Sequence, residues 1–215
     1  LGVIAGILIG TYGGSSLTRS VSDEKSIAVL PFDNLGNDEN DEIFSDGITE
    51  DIISQLSKIK DIRVIARTSV LQYKGTTKNI IQVAKELGVN NILEGSVRRI
   101  GDDVRIVGQL IDVITDDHLW SDTYDRKMKN IFEVQSDVAR KIASALKTEL
   151  SPDEENRISQ VPTDNLEAYT LYKQGKDKYL EYNKEGFEES IDYFKKALNI
   201  DPMFALAYAG IADSY

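Results

Sequence analysis

Three consecutive β-strands are predicted within residues 91–125, and this stretch constrains the fold more than any other. Residues 92–100 and 104–113 are rich in β-branched side chains, and Gly101-Asp102-Asp103 between them suits a short antiparallel connection. After a second turn, residues 118–125 form the third strand. A three-stranded meander alone would leave an apolar face in water, so helices before and after it must cover that face.

Strand and helix patterns alternate before the meander. The continuous apolar run at residues 26–32 is typical of a strand buried on both faces, and residues 62–66 form the second strand. An apolar stripe predicts a helix over residues 46–59, with Ser45 or Asp46 as its N-cap. The quick succession of strand, helix and strand favours a right-handed crossover with parallel pairing.

Two further helices complete the predicted α/β fold. A helix over residues 79–87, stopped by Gly88, gives a second crossover, and a long helix over residues 129–150 follows the meander. That helix is the natural cover for the sheet face that carries Trp120 and Tyr124, which lie four residues apart on one strand. The predicted fold is therefore a mixed sheet covered by helices, with two parallel crossovers followed by an antiparallel three-strand meander.

A segment with a different pattern follows. Residues 151–164 hold two prolines among charged residues and are predicted to be a linker, and residues 165–215 show helix-turn-helix spacing. Four residues match the small, aromatic, alanine and proline positions in the second helix of a tetratricopeptide repeat: Ser190, Phe194, Ala197 and Pro202. Because such repeats bury their faces only against neighbouring repeats, we expect an all-α tetratricopeptide segment that is truncated.

The N-terminal residues predict a membrane tether. Residues 1–12 begin with an almost unbroken apolar run of about half the roughly 20 residues needed to cross a bilayer, which indicates the end of a transmembrane helix. A secretory signal peptide is the alternative. Residues 13–25 have the small polar composition of a flexible linker. A stripe of small residues suggests a helix-helix contact in a homodimer: Gly2, Gly6 and Gly10.

Composition argues against several classes of site. The formal net charge is -11, which opposes a role in binding nucleic acid or anionic lipid. The chain has no cysteine and one histidine, His118, so metal sites built on thiolates or histidines are not expected. The acidic loop at residues 33–42 lacks the glycine and glutamate spacing of a calcium-binding loop. We therefore expect no metal and no cofactor.

Catalysis by this chain is not expected either. Phosphate-loop, dinucleotide-binding, zinc-protease and nucleophile-elbow motifs are absent from the sequence. Asp46, Glu50 and Asp51 could form a carboxylate pair, but acids near a helix N-terminus are also favoured by the helix dipole. Several arginines could receive an anionic ligand if they converged: Arg63, Arg67, Arg98, Arg99 and Arg105. Arg98 and Arg99 are adjacent on a strand and point to opposite faces, so solvent-facing pairs with aspartates are the alternative.

Seven short blocks occur in the order and spacing of a known family. They are SIAVLPFDNL, FSDGITEDI, IRVIARTS, VAKELGV, ILEGSVRR, VRIVGQLIDV and HLWSDTYDR. Over residues 26–150 the chain resembles the TolB amino-terminal-like domain followed by tetratricopeptide repeats, as in membrane-anchored bacterial class III adenylate or guanylate cyclases and winged-helix regulators. The resemblance implies an α/β domain outside the cytoplasm and an effector that this chain does not contain, with no catalytic residues to carry over.

The expected function is that of a noncatalytic sensor or protein-interaction module on the extracytoplasmic, periplasmic side of a bacterial membrane. Its effector, such as an adenylate cyclase, would lie outside this chain. A protein or peptide partner would bind the tetratricopeptide segment, where three tyrosines lie on a first helix: Tyr169, Tyr172 and Tyr179. Packing within the repeat is the alternative for each tyrosine. An envelope assembly or transport partner without signalling output is the alternative for the whole chain.

Overall fold

The computed structural model describes residues 25–36 and 39–215. The predicted end of a membrane helix at residues 1–12, its glycine stripe and almost all of the predicted linker at residues 13–25 lie outside the described residues. Within the described ranges, no helix combines the length and the hydropathy that crossing a bilayer requires. Apart from residues 37 and 38, the predicted α/β and all-α parts of the chain lie inside these ranges.

One mixed sheet forms the centre of the α/β domain. The strands that the structure describes are β1 (Ser26–Val29), β2 (Asp33–Asn34), β3 (Arg63–Val64), β4 (Asn91–Ile100), β5 (Asp103–Asp112) and β6 (Asp117–Lys127). Their order is β3-β1-β4-β5-β6, and β2 pairs with β4 further along that strand than β1 does. β1 runs parallel to β3 and β4, whereas β4, β5 and β6 are antiparallel. The predicted mixed sheet is confirmed.

The meander has the predicted strands and turns. Gly101 adopts a φ of 60° in the first turn, a left-handed conformation that a residue without a Cβ reaches at little steric cost. Asp116 adopts a φ of 62° in the second turn, and aspartate is one of the residues that tolerate this region. A β-bulge leaves Leu119 without a paired residue on β5. Downstream of the bulge, Trp120 and Tyr124 share one face of β6, as predicted.

Helices cover this sheet and continue beyond it. The α-helices described are α1 (Glu39–Leu56), α2 (Arg67–Val70), α3 (Ile80–Leu87), α4 (Ile131–Ala145), α5 (Pro152–Ser159), α6 (Leu166–Tyr179), α7 (Lys184–Ile200) and α8 (Ala205–Asp213). α1 and α4 pack against each other, and α4 also contacts β6. There the buried Tyr124 donates a hydrogen bond from its hydroxyl to Asp137 on α4 at 2.8 Å. The predicted cover of this sheet face is confirmed.

The start of α1 differs from the prediction. The helix begins at Glu39, so the end of the predicted acidic loop is helical. Ser45 is not an N-cap, because it lies inside the helix and its hydroxyl donates to the carbonyl oxygen of Phe32 at 2.9 Å. The Phe32 N–H in turn donates to the hydroxyl of Thr49 at 3.0 Å. The prediction was wrong because an acidic run reads as a solvated loop, yet acids also suit the first turn of a helix.

The segment predicted to be a linker, residues 151–164, contains α5. Ser151 and Glu154 form a capping box, in which each side chain accepts a hydrogen bond from the backbone N–H of the other residue. Glu154 also accepts from the backbone N–H of Lys60, just beyond α1, at 2.8 Å. A linker was predicted because proline and charged residues often interrupt secondary structure. Ser-Pro-x-Glu, however, is also a sequence with which helices begin. This part of the chain is therefore attached to the α/β domain.

The helical segment is organised around the ring of Phe194. α6 and α7 pack side by side, and α8 packs against both of them. Phe194 on α7 is fully buried between two glycines, Gly175 on α6 and Gly210 on α8. A Cβ atom would lie 2.6 Å from the ring at Gly175 and 2.7 Å from it at Gly210. The three predicted helices are present, and their assignment to a tetratricopeptide repeat stays a prediction.

Replacing Gly175 by alanine should destabilise the helical segment. The added methyl group collides with the Phe194 ring, which should cost about 1–3 kcal/mol although alanine favours a helix by about 1 kcal/mol. Gly47→Ala is the matched control, because its Cβ would meet Lys173 Cε at 3.4 Å, an ordinary contact. Urea unfolding of both variants measures the effect. A Gly175→Ala protein as stable as the wild type would contradict the packing described.

The capping box of α5 should make stability depend on pH in the acid range. Hydrogen bonds from the Lys60 N–H, the Ser151 hydroxyl and the Ser151 N–H lower the pKa of Glu154 from 4.5 to about 2. A carboxyl whose pKa is depressed on folding stabilises the protein above its unfolded pKa and loses that effect as the pH falls through the folded value. The stability difference between wild type and Glu154→Gln should therefore shrink from about pH 6 to about pH 3. A difference independent of pH would refute this role.

Candidate functional site at the junction of the two parts

The α/β domain and the helical segment meet where α6 lies against α1. Two side chains of α6, Tyr169 and Lys173, are spaced one helical turn apart and point at the same neighbour. That neighbour is Asp51, in the C-terminal half of α1. Tyr169 is 3% exposed and its ring meets the ring of Phe132 on α4 edge-on, with centroids 4.8 Å apart. The junction is therefore a buried contact between three helices.

Lys173 is the centre of a buried ion cluster, which we define as Lys173, Glu50 and Asp51. Its side chain is 8% exposed, and its Nζ lies 2.7 Å from Asp51 Oδ1 and 3.2 Å from Glu50 Oε2. The other oxygen of Asp51 accepts from Gln135 Nε2 at 2.8 Å and from the Tyr169 hydroxyl. Both oxygens of Asp51 are thus hydrogen-bonded, as a carboxylate removed from water requires.

Burial and charge act in opposite directions on this cluster. Burial by itself lowers the pKa of Lys173, but the attraction of Asp51 and Glu50 outweighs it, so the pKa is raised above its ordinary value. Burial raises the pKa of Asp51 against the opposing attraction of Lys173. Burial also acts to raise the pKa of Glu50, but Lys173 and Arg67 lower it overall. The lysine is therefore held as a cation between the two parts of the chain.

A cavity of about 410 Å³ opens beside the ion cluster. This junction cavity lies between α1, α6, the β4–β5 turn and the end of β6. Its lining combines apolar side chains with a few charged and amide groups: Asp41, Ile43, Phe44, Gly47, Arg99, Gly101, Met128, Tyr169, Thr170, Lys173 and Gln174. The volume and the mixture of groups are typical of a pocket for a small organic molecule.

One wall of the junction cavity carries a partly satisfied arginine. Arg99 donates from Nε to the carbonyl oxygen of Gly101 at 3.1 Å. Its Nη1 lies 3.8 Å from Asp41 Oδ1, which is beyond hydrogen-bond distance. Arg98 lies on the opposite face of the sheet, as the sequence predicts for adjacent strand residues, and it lines a different surface pocket with Arg105.

The three tyrosines predicted to bind a partner occupy different surroundings. Tyr169 is enclosed at the junction. Tyr172 is half-buried, with its ring centroid 5.7 Å from that of Phe194 and 5.1 Å from that of Phe204. Burial raises its pKa to about 12. Tyr179 is half-buried beside Tyr182 and Phe187 near the α6–α7 turn. The structure does not bring the three hydroxyls to one site, and their role towards a partner stays a prediction.

Two of the three predicted acids, Glu50 and Asp51, meet at Lys173, whereas the predicted arginines are dispersed. Asp46 pairs with Lys74 at 2.8 Å and lines a surface pocket together with Glu50, and all three acids lie inside α1 rather than at its N-terminus. Arg105 pairs with Asp125 at 2.6 Å on the exposed sheet face. Among the residues that the structure describes, no group of three or more histidine or acidic side chains is arranged to hold a metal ion. The five predicted arginines do not converge.

Sequence reasoning missed the role of Lys173. A signal was present, because Lys173 is four residues from Tyr169 on a helix and so shares its buried face. Glu50 and Asp51 provide the opposite charges beside the apolar stripe of α1. The pairing links residues more than 120 positions apart. No local pattern specifies which acidic pair of the chain a buried lysine will meet.

Residues 22–144, more than half of the chain, match the family described as "HilA/YgeH-like transcriptional regulator, second domain". The chain belongs to this family. The matched region contains the whole sheet and helices α1 to α3, together with most of α4. The helical segment and the lysine of the ion cluster lie beyond it. The family match therefore covers one side of the junction.

A curated relative extends across the junction. The protein named "Putative adenylate cyclase 3" from Rhizobium meliloti (strain 1021) is 44% identical over 187 residues, which is 87% of this chain. The chain covers 32% of the length of that relative. The similarity therefore includes residues on both the α/β and the helical sides.

Solved structures of bacterial proteins superpose on part of the chain. TolB from Acinetobacter baumannii is 18% identical, with a TM-score of 0.43 over 56% of this chain and 28% of that one. Lipoprotein GNA1162 from Neisseria meningitidis is 21% identical, with a TM-score of 0.40 over 48% and 80%. The LpoB C-terminal domain from Salmonella enterica is 16% identical, with a TM-score of 0.37 over 51% and 87%. Each overlap is partial and says nothing about function.

Removing the lysine of the ion cluster should destabilise the chain, and the helical segment most. Lys173→Met leaves two partly buried carboxylates, with side chains 28% and 16% exposed, without their cation, which should cost about 3 kcal/mol, the lower end of the range for a buried pair. Lys195→Met, on the exposed face of α7, is the control and should change stability by no more than about 0.5 kcal/mol. Urea unfolding provides the measurement. If the two variants lose the same stability, the cluster does not hold the junction.

A double variant separates lost charge pairing from lost packing. Asp51→Asn removes one of the carboxylates that Lys173→Met leaves unpaired, so the double variant should lose less stability than the sum of the two single variants. Strict additivity would mean that Lys173 and Asp51 act independently.

Proposed function

We propose that this chain is a noncatalytic input module of a multidomain bacterial regulator whose effector lies outside the chain. The observation that carries the proposal is the buried junction, where the ion cluster and the Phe132–Tyr169 contact join the α/β domain to the helical segment. A junction fixed in this way lets a binding event on one part alter the position of the other. Such coupling is what a regulatory segment needs.

The matching family and the curated relative support this assignment. The matching family is named for transcriptional regulators, in which this is the second domain, whereas the Rhizobium relative is named for an adenylate cyclase. A module shared by proteins named for such different outputs is better explained as a common regulatory part than as the catalyst of either. The chain covers 32% of the relative, which leaves most of that protein for an effector.

The finer proposal is a sensor tethered to the membrane with its soluble part outside the cytoplasm. It rests on the apolar run at residues 1–12 and on the sequence resemblance to membrane-anchored regulators. We also propose that α6, α7 and α8 belong to a tetratricopeptide array, which the fit of Phe194 between Gly175 and Gly210 supports. Tyr172 and Tyr179 stay candidate contacts for a protein partner, whereas Tyr169 is enclosed.

The unity of the module can be tested with two local probes of unfolding. Trp120 is the one tryptophan of the chain and reports on the α/β domain. Because the chain has no cysteine, Lys195→Cys on α7 can carry a single dye that reports on the helical segment. Both probes should give the same urea midpoint, since the parts unfold together. In the Lys173→Met variant, the urea midpoint reported by the dye should be lower than the midpoint reported by Trp120.

Two outcomes would count against the proposed function. Separate midpoints in the otherwise wild-type labelled protein would show that the two parts are independent. Formation of cyclic AMP or cyclic GMP by the purified chain, given ATP or GTP with Mg²⁺ or Mn²⁺, would show that the chain is itself an enzyme.

A further inference from the structure

We infer that the junction cavity binds a small organic carboxylate with an apolar body. The cavity holds about 410 Å³ and is open to solvent between α1 and α6. Its position matters, because a molecule in it touches the α/β domain and the helical segment at once. The inference deepens the proposed function by naming a class of ligand for the same junction.

The apolar body of the ligand is specified by one side of the cavity. Ile43 and Phe44 on α1 face it, and both are only half-buried in the structure. Met128, which is 4% exposed, and the ring of Tyr169 form the floor. Contact with an aromatic or branched aliphatic body would remove apolar surface from water, which contributes about 25 cal/mol of binding free energy for each Å². Thioether and aromatic side chains also adapt to planar rings.

The carboxylate is specified by Arg99. Its terminal nitrogens make no hydrogen bond to the residues that the structure describes, and the nearest carboxylate oxygen, on Asp41, is 3.8 Å away. Its Nε is fixed by the Gly101 carbonyl, which orients the guanidinium plane. A ligand carboxylate could therefore accept two parallel hydrogen bonds from Arg99, the geometry in which guanidinium binds carboxylates most strongly.

The remaining polar groups of the cavity are the paired Lys173, the carboxylate of Asp41 and the amide of Gln174. The charge of Lys173 is already matched by Glu50 and Asp51, so Arg99 is the cation of the cavity with unused donors among the described residues. Gln174 lines the cavity from α6, and its amide has no hydrogen-bond partner within the described ranges. A second polar group on the ligand could pair with that amide.

Binding of hydrocinnamate, a phenyl ring on a short chain that ends in a carboxylate, tests the inference. Titration into the full chain should shift the NMR signals of residues on α1 and α6 in a saturable way. Arg99→Gln should weaken binding about tenfold or more, because hydrogen bonds to charged groups contribute that much. Arg98→Gln is the matched control, since it removes the same charge from the opposite sheet face and should leave binding unchanged. The uncharged amide of hydrocinnamate should bind as weakly to wild type as hydrocinnamate binds to Arg99→Gln.

A second variant locates the site and distinguishes a loss of binding from misfolding. Thr170→Phe adds a ring at the exposed rim of the cavity without removing a charge, and it should block binding while urea unfolding stays close to that of wild type. Absence of saturable binding to wild type would overturn the inference. So would equal binding by Arg99→Gln or by Thr170→Phe. Such results would leave the module intact if the two unfolding probes still coincide, so failure of this inference and failure of the proposed function are distinguishable.

Discussion

The arrangement of this protein depends on a lysine that is removed from water. Moving an ammonium group from water into a protein interior costs several kcal/mol of hydration free energy. Only the attraction of well-placed carboxylates offsets this cost. Lys173 finds them when α6 lies in one register across α1. Sliding α6 by one helical turn would move the ammonium by about 5 Å and leave three charges unpaired. Ring contacts such as that of Phe132 with Tyr169 tolerate small shifts, so the ion cluster selects the register.

Most of the sheet could be predicted because its signals are local. Period-two patterns and turn residues such as Gly101 specify β4, β5 and β6 within a few positions of one another. The buried run at β1 and the helical stripes of α1 and α3 similarly require no knowledge of distant residues. The order of β4, β5 and β6 then follows from tight turns, whereas the position of β1 between β3 and β4, which are consecutive in the chain, does not follow from adjacency in sequence. Local signals are sufficient where each element meets its neighbour in sequence.

Prediction was poorest where a residue's role depends on a distant partner. Ser45 has the composition of a cap, yet its hydroxyl meets the Phe32 carbonyl because α1 starts earlier than its apolar stripe. Glu154 looked like part of a charged linker, and its acceptor role depends on Lys60. The candidate site is the extreme case, since Arg99, Phe44 and Gln174 come from three separated stretches. None of these residues indicates a binding site by itself. The inference of a ligand depends on the cavity that they share.

The position of Phe194 also constrains how the helical segment can change during evolution. Its ring fills the space that two missing side chains leave on α6 and α8. A larger residue at Gly175 or Gly210 would be tolerated only after the ring had become smaller, and a smaller residue at Phe194 would leave a void that a new methyl group could fill. These three positions should therefore vary together among relatives, as a set inherited across helices rather than as independent sites.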